Sequence, residues 1–150
     1  MVKQVAEVLM IWLRIALLLA AFSLSASARA QSSLTGAWRP ETYTLKDGTV
    51  KEVTGLIFFT DRDWTVLFFT RDGRGGLAQG AGEGGTYTLD GDRLVFKHLY
   101  HLSGGETPLK MSAKGPDDAD LEPCRIELSG EDLTIYFPSG NQMTFRRSSG

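Results

Sequence analysis

The two histidines of the 150-residue chain, His98 and His101, are the first side chains whose type could support acid–base or metal chemistry. They lie three positions apart in the run 93–102, where apolar and polar residues alternate as in a half-buried strand. The alternation predicts that they point to opposite faces, so they could not bind one metal together. His98 shares the inward face with Tyr100. There it could be a satisfied interior histidine, a polar contact to a ligand or one half of an acid–base pair.

Other motifs that could carry chemistry are weak. Residues 80–85 match the letters of a dinucleotide-binding fingerprint, but a strand follows them rather than a helix, so we expect a flexible loop and no cofactor. Asp117, Asp118, Asp120 and Glu122 lack calcium-loop spacing, which predicts a solvated loop and no metal. No nucleophile elbow or zinc-binding histidine pair is present, so we do not expect an enzyme unless distant strands assemble a site.

Cys124 is the only cysteine in the sequence, so no intrachain disulfide can form. We expect Cys124 to be buried and to pack as a small apolar side chain. A reactive thiol and an intermolecular disulfide are the alternatives. The domain must therefore be stabilised by its hydrophobic core, for which the length of the chain is sufficient.

The N-terminal thirty residues have the pattern of a signal peptide. Basic residues precede the apolar run 15–24, which has the length of a signal h-region rather than of a membrane span. Ala28 and Ala30 fit the rule for a cleavage site, so the mature chain is predicted to begin at Gln31. The alternative is an uncleaved anchor over residues 8–24. The sequence thus predicts export to the periplasm or the medium, without a stable membrane span after cleavage.

The charge of the mature chain bears on its partners. The full sequence has 16 basic and 18 acidic residues and a net charge of -2. Cleavage would remove Lys3, Arg14, Arg29 and Glu7, which leaves 13 basic and 17 acidic residues and a net charge of -4. This domain has no basic surplus with which to neutralise phosphates, so nucleic acid is not an expected partner.

Turn signals recur about every ten residues after Leu34, and the runs between them are rich in β-branched and aromatic residues. The glycine-rich stretch 72–85 and the acidic stretch 114–122 are predicted to be loops, the first of them mobile. No convincing amphipathic helix is found in the mature chain. Strands are predicted over residues 35–45, 49–60, 64–71, 85–90, 93–102, 106–113, 123–129, 132–138 and 142–147. Short connections between eight or nine strands favour an antiparallel up-and-down barrel, which removes exposed sheet edges.

The face that each strand turns inward follows from the period of two. Leu94, Phe96, His98, Tyr100 and Leu102 are predicted on one inward face, and further strands contribute Cys124, Ile126 and Leu128, and Leu133, Ile135 and Phe137. Two runs, Leu56–Phe59 and Val66–Phe69, are apolar on both faces. We expect their outer faces to be covered by another element, a terminal segment or a partner.

Three short blocks resemble the lipocalin-like group of small calycin barrels. They are the pair Gly36 and Trp38 at the start of the first strand, the block 85–94 and the block 125–134, in the order found in bacterial lipocalin-like domains. Together they span most of residues 34–147. The resemblance implies an up-and-down barrel with an apolar interior that holds a small hydrophobic molecule. The disulfides of lipocalins are absent.

The resemblance also implies a barrel floor in which the tryptophan of the first strand lies under an arginine of the last. Trp38 fits the first role. Arg147 fits the second better than Arg146, because it shares its face with Met143 and Phe145, which are expected to point inward. We therefore predict that Arg147 stacks on Trp38 and that Arg146 is solvated.

These inferences give one main prediction and two alternatives. Residues 1–30 form a signal peptide, and residues 31–150 form an exported lipocalin-like barrel that binds a small apolar or amphipathic molecule. The predicted lining is Phe96, His98, Tyr100, Ile126, Ile135 and Phe137. The first alternative is a structural barrel with a filled core and an apolar face for a homo-oligomer. The second is a calycin-type enzyme that uses His98 and Tyr100.

Overall fold

All ten secondary-structure elements in the described residues of the computed structural model, 34–105 and 109–149, are β-strands. The predicted signal segment, residues 1–30, lies outside the described residues. The strands are β1 (Gly36–Thr44), β2 (Val50–Lys51), β3 (Val53–Phe59), β4 (Asp63–Arg71), β5 (Leu77–Asp90), β6 (Arg93–Gly105), β7 (Lys110–Ala113), β8 (Asp120–Ser129), β9 (Asp132–Tyr136) and β10 (Gln142–Arg147).

Eight of these strands form a closed antiparallel barrel. The pairing runs β10-β9-β8-β6-β5-β4-β3-β1, and β1 pairs with β10 to close the circle. The short strands β2 and β7 lie outside this circle and pair with β1 and β6. The antiparallel barrel expected from the sequence is confirmed, and its architecture is consistent with a lipocalin-like fold. Within the described residues, no helix is long and apolar enough to cross a membrane.

Two tight turns show how the sequence sets the hairpins. Gly91 joins β5 to β6 with φ 61°, and Gly130 joins β8 to β9 with φ 62°. A side chain at either position would strain this left-handed backbone conformation, so glycine permits the short connection. The turn signals read from the sequence at these two positions are confirmed.

The prediction of a mobile loop over residues 72–85 is wrong, because Leu77–Asp90 forms one strand of 14 residues. Three of the four glycines of this strand, Gly80, Gly84 and Gly85, have close neighbours that leave little room for a side chain. A Cβ atom at Gly80 would lie 2.7 Å from the Phe69 ring, and one at Gly84 would overlap the Tyr100 ring.

Three further strand boundaries differ from the prediction. The predicted strand 49–60 is divided into β2 and β3, and the predicted strand 106–113 is described only from Lys110. The acidic stretch is not entirely a loop, since β8 already begins at Asp120. Glu122 therefore has a defined place in the barrel wall.

The core is centred on Trp38, which is completely buried. Its Nε1 donates a hydrogen bond of 2.8 Å to the carbonyl oxygen of Leu34. The other largest fully buried side chains are Leu34, Leu94, Leu133 and Ile135. Arg147 is the partner of Trp38 in the β1–β10 ladder, and its Cζ lies 4.1 Å from the Trp38 ring centroid. The predicted stacking is therefore present.

Arg146 points to the opposite side of β10, as predicted. Its side chain is more than half exposed and forms ion pairs of 3.0 Å with Glu41 and 3.1 Å with Asp132. The last strand thus separates one arginine over the core from one in solvent.

Candidate binding cavity

The barrel interior contains a cavity of about 220 Å³. Each of the eight barrel strands contributes at least one side chain to its wall, so the cavity lies inside the barrel. The wall is mostly aromatic and aliphatic, with a polar end at Glu83, His98 and Glu122. The other lining residues are Tyr43, Ile57, Trp64, Val66, Phe68, Phe96, Ile135, Phe137, Ser139, Met143 and Phe145.

Four of the six predicted ligand-binding residues line this cavity: Phe96, His98, Ile135 and Phe137. Ile126 is buried in the core but is not part of the cavity wall. Tyr100 is 48% exposed and is not part of the wall either, so its predicted inward orientation is wrong.

A β-bulge at Leu99 explains the orientation of Tyr100. In the β5–β6 ladder, Gly85 pairs with His98 and Gly84 pairs with Tyr100, which leaves Leu99 as an extra residue on β6. One extra residue inverts the in–out alternation of the strand beyond it. Tyr100 therefore turns outward, and His101 comes to the same side as His98. The prediction that the two histidines point to opposite faces is wrong for this reason.

Glu83 connects the two histidines. Its Oε2 lies 3.1 Å from Nδ1 of His98, and its Oε1 lies 3.2 Å from Nδ1 of His101. The second ring nitrogen of His98, Nε2, lies 3.3 Å from Oε2 of Glu122. His98 is thus held between two carboxylates from β5 and β8, and its side chain is only 18% exposed.

This arrangement favours the charged form of His98. The hydrogen bonds to Glu122 and Glu83 raise the pKa of His98 to about 9, against the opposing effect of burial. Burial disfavours the ionised form of Glu83, but hydrogen bonds and charge interactions with His98 and His101 outweigh it and lower the pKa of Glu83. At neutral pH the polar end of the cavity therefore contains an imidazolium between two carboxylates.

Trp64 forms the aromatic wall beside this cluster. Its ring centroid lies 4.4 Å from that of Phe96 and 5.0 Å from that of His98, and its plane is nearly perpendicular to the imidazole. The side chain is buried, and its Nε1 has no hydrogen-bond partner among the described residues. A buried indole N–H without an acceptor is costly, so this group calls for an acceptor that the described chain does not supply.

Outside the barrel, a more open groove adjoins the cavity. His98 and Glu122 border both spaces, and Tyr100 and Lys114 border the groove only. His98 and Tyr100, the pair named in the enzymatic alternative, therefore both border the groove, while only His98 also lines the cavity. The expectation that the protein is not an enzyme stays a prediction.

The acidic stretch that was weighed as a calcium loop has other contacts. Oδ2 of Asp120 forms an ion pair of 2.6 Å with Nζ of Lys114, and Oε2 of Glu122 faces Nε2 of His98. Over residues 34–105 and 109–149, no group of three or more histidine, cysteine or acidic side chains has an arrangement that could hold a metal ion. Asp120 and Glu122 therefore pair with side chains of the protein.

The sequence did not indicate several residues of the wall. The glycine-rich stretch predicts a loop at Glu83, and the acidic stretch predicts a solvated loop at Glu122. Trp64 was recognised only as part of a predicted strand. Glu83 and Glu122 come together because β5 and β8 are both neighbours of β6, a relationship that depends on the strand order.

The outer faces of the two-sided apolar runs remain exposed in the described chain. Phe58 is 44% exposed and Leu67 is 52% exposed. Leu67 also borders an apolar groove over β4, β5 and β6 that includes Leu77 and Leu102. The predicted homo-oligomer face on these strands stays a prediction, which sedimentation analysis of the purified protein would test.

Comparisons with known proteins concern the fold as a whole. No protein-family model and no curated protein matches the chain. The chain is similar to the crystal structure of a lipocalin-like protein from Bacteroides uniformis, with 19% identity and a TM-score of 0.49. It is also similar to an uncharacterised protein from Bacteroides eggerthii, with 15% identity and a TM-score of 0.47. Both alignments cover 77% of this chain and 99% of the other.

Proposed function

We propose that the protein is an exported binding protein that holds one small apolar or amphipathic molecule in the barrel interior. The observation that carries the proposal is the interior cavity, whose wall combines apolar side chains with a small polar end at Glu83, His98 and Glu122. Binding sites for small molecules typically have this composition, in which apolar surface provides affinity and a few polar groups orient the ligand.

The indole N–H of Trp64, which has no hydrogen-bond partner among the described residues, supports the same proposal. Native proteins pair nearly all buried donors, and an unpaired one requires an explanation. A ligand with an oxygen or nitrogen acceptor in the cavity would satisfy Nε1 of Trp64. An ordinary filled core would gain nothing from this donor, whereas a binding site uses it for orientation.

The size of the cavity limits the ligand. A volume of about 220 Å³ is below the roughly 300–1,000 Å³ of sites for drug-sized ligands. An eight-stranded barrel has room for its own side chains or for one small ligand. We therefore expect a molecule with a short chain or one or two rings, part of which extends toward the groove beyond His98 and Glu122.

The first test uses the purified mature domain. Native mass spectrometry would detect a retained molecule, and displacement of a neutral naphthylamine dye would report binding of small apolar and amphipathic compounds. We expect displacement with one ligand per chain. A protein that retains no molecule and never binds the dye or any of the compounds would contradict the proposal.

A pair of variants locates the binding. Val66 lines the cavity, whereas its neighbour Thr65 is exposed on the outer face of β4. Val66→Trp should fill the cavity and abolish dye binding, and Thr65→Trp should leave it unchanged. Circular dichroism would establish that both variants are folded. Equal dye binding by both would place the dye outside the barrel.

The exported location is tested separately. The full chain, expressed in a bacterial host, should appear in the periplasmic fraction or the medium, and N-terminal sequencing should begin at Gln31. A protein that retains residues 1–30 in the membrane fraction would favour the anchor alternative. Either outcome leaves the binding experiment unaffected.

A further inference from the structure

We propose that the cavity selects amphipathic cations, such as alkylammonium compounds, whose charged nitrogen binds the free Oε1 of Glu122 beside the aromatic wall. This inference rests on the proposed binding function and specifies the chemical class of the ligand. It also assigns recognition of the ligand's polar group to Glu122, whereas the sequence favoured His98 or Tyr100 for this role.

Among the described residues, the cavity wall offers no unpaired cationic side chain for an anionic head group. The described lining residues include no lysine or arginine. His98 is the cation at the polar end, but its two ring nitrogens face Oε2 of Glu83 and Oε2 of Glu122. A carboxylate ligand would have to displace one of these partners and would approach two negative charges, which is unfavourable in a partly desolvated site.

The lysine that borders the outer groove does not change this balance. Lys114 borders the outer groove rather than the cavity, and its Nζ lies 2.6 Å from Oδ2 of Asp120. Its charge is therefore already compensated outside the barrel. The polar end contains two carboxylates against the single imidazolium of His98.

Glu122 has the acceptor that remains available. Both oxygens of Glu83 are engaged, Oε2 by His98 and Oε1 by His101. Glu122 uses only Oε2, and within the described residues its Oε1 has no hydrogen-bond or ion-pair partner. Its side chain is partly exposed at 34% and lies where the cavity meets the groove. An ammonium group at this position would gain a charge-assisted hydrogen bond.

The aromatic side chains of the wall favour the same ligand class. Trp64 and Phe96 lie beside His98, and Tyr43, Phe68 and Phe137 also line the cavity. The faces of such rings attract a cation through their quadrupole, most strongly for tryptophan and where water is excluded. They also accommodate the apolar part of the ligand. Nε1 of Trp64, which has no partner among the described residues, could donate a hydrogen bond to an ether, hydroxyl or carbonyl oxygen of a ligand that also carries an amine.

The test compares three compounds that have the same eight-carbon tail: octylammonium, octan-1-ol and octanoate. Each is titrated against the dye-loaded domain at about pH 8, where the alkylammonium group is protonated and octanoate is ionised. We expect octylammonium to bind at least about tenfold more tightly than octan-1-ol, and octanoate to bind most weakly.

Two matched variants separate the role of Glu122 from a general effect of charge. Glu122→Gln should lower the affinity for octylammonium by about tenfold and leave that for octan-1-ol unchanged, which also shows that the cavity is intact. Glu127→Gln removes a carboxylate from the same strand, but Glu127 is exposed and paired with Arg125. This control should bind all three compounds as the unmodified domain does.

The possible outcomes distinguish this inference from the proposed function. If all three compounds bind equally, or if octanoate binds most tightly, the preference for cations is overturned while binding in the barrel is supported. If Glu122→Gln binds octylammonium normally, the assignment to Glu122 is wrong. If no compound displaces the dye and the dye itself does not bind, the proposed function fails and this inference fails with it.

Discussion

The Cζ atom of Arg147 lies 4.1 Å from the ring centroid of Trp38, and the two residues are direct partners across the strands that close the barrel. Nη1 of Arg147 also donates a hydrogen bond of 2.9 Å to the carbonyl oxygen of Thr35. The arginine thus ties the start of β1 to the end of β10 at the point of closure. The fold depends here on an indole that is completely buried and on a guanidinium that covers it.

We expect Trp38→Ala to lower the free energy of unfolding by about 3–5 kcal/mol, because it removes a fully buried aromatic side chain and leaves a cavity. It also removes the hydrogen bond to Leu34 and the surface on which Arg147 lies. Urea denaturation followed by circular dichroism would measure the change. A loss below about 1 kcal/mol would mean that the indole is not part of the core.

The two arginines of β10 should respond differently to truncation. Arg147→Ala should cost about 1–2 kcal/mol, through loss of the partly desolvated cation–π contact and of the bond to Thr35. Arg146→Ala is the matched control, since its ion pairs with Glu41 and Asp132 are exposed. Such exposed pairs are screened by solvent and contribute little to stability. Equal losses in urea denaturation would contradict the separate roles.

A glycine substitution tests the assignment of residues 77–90 to a strand. A Cβ atom at Gly85 would overlap the carbonyl oxygen of Lys97 and lie 3.0 Å from the backbone nitrogen of Leu99. Backbone atoms cannot move as side chains do, so we expect Gly85→Ala to cost about 1–3 kcal/mol. The shift at the bulge should also weaken ligand binding near His98.

Gly82→Ala is the control on the same strand. A Cβ atom at Gly82 would lie 3.7 Å from Cδ1 of Leu67, which is an ordinary contact. This variant should be neutral or gain up to about 1 kcal/mol, since alanine restricts the unfolded chain. Thermal denaturation of both variants would compare them. If Gly85→Ala is as stable as Gly82→Ala, residue 85 is not held against β6.

The part of the fold that the sequence predicted well is the part with regular alternation. The alternation of inward and outward residues correctly predicted that Arg147 of β10 lies over Trp38 and that Ile135 of β9 points inward. In an uninterrupted strand, a period of two fixes the face of every residue once one is known. The same reasoning gave the wrong orientation for the residues of β6 beyond Leu99, because the one extra residue there exchanges the inward and outward faces. The neighbouring pair Gly84 and Gly85 was the available signal, since glycine inside a strand often marks a bulge.

The polar end of the cavity could not be predicted by the same reasoning. Glu83 lies among glycines that have no side chains from which to read a face, so β5 had no detectable period. Glu122 lies near the start of β8, next to residues that resemble a solvated loop. Their meeting at His98 depends on which strands pair with β6, and this is a long-range property of the barrel rather than of either segment.

Cys124 should be unreactive in the folded protein. Its side chain is buried, and burial together with the nearby charge of Glu122 raises the pKa of the thiol to about 12. The thiolate is the reactive form, so almost none is present at neutral pH. We expect a thiol reagent such as dithionitrobenzoate to label the native protein only after urea is added. Rapid stoichiometric labelling without urea would contradict the buried position and restore the alternative of a reactive thiol.

The final prediction concerns pH and His98. Because the folded-state pKa of His98 is raised from 6.5 to about 9, its contribution to stability is complete below about pH 6.5 and is lost as the pH rises through 9. Glu83 behaves in the opposite sense, since its lowered pKa means that its contribution is present above about pH 4.5 and is lost in stronger acid.

Urea denaturation should therefore show that His98→Gln is less stable than the unmodified protein at about pH 6, by roughly 1–2 kcal/mol after allowance for partial exposure. This difference should shrink as the pH approaches 10, where only the loss of the ring contacts with Trp64 and Phe96 remains. His101→Gln, in which a more exposed ring is replaced, should show a smaller difference. A gap between His98→Gln and the unmodified protein that stays constant from pH 6 to pH 10 would show that His98 is not held as an imidazolium between Glu83 and Glu122.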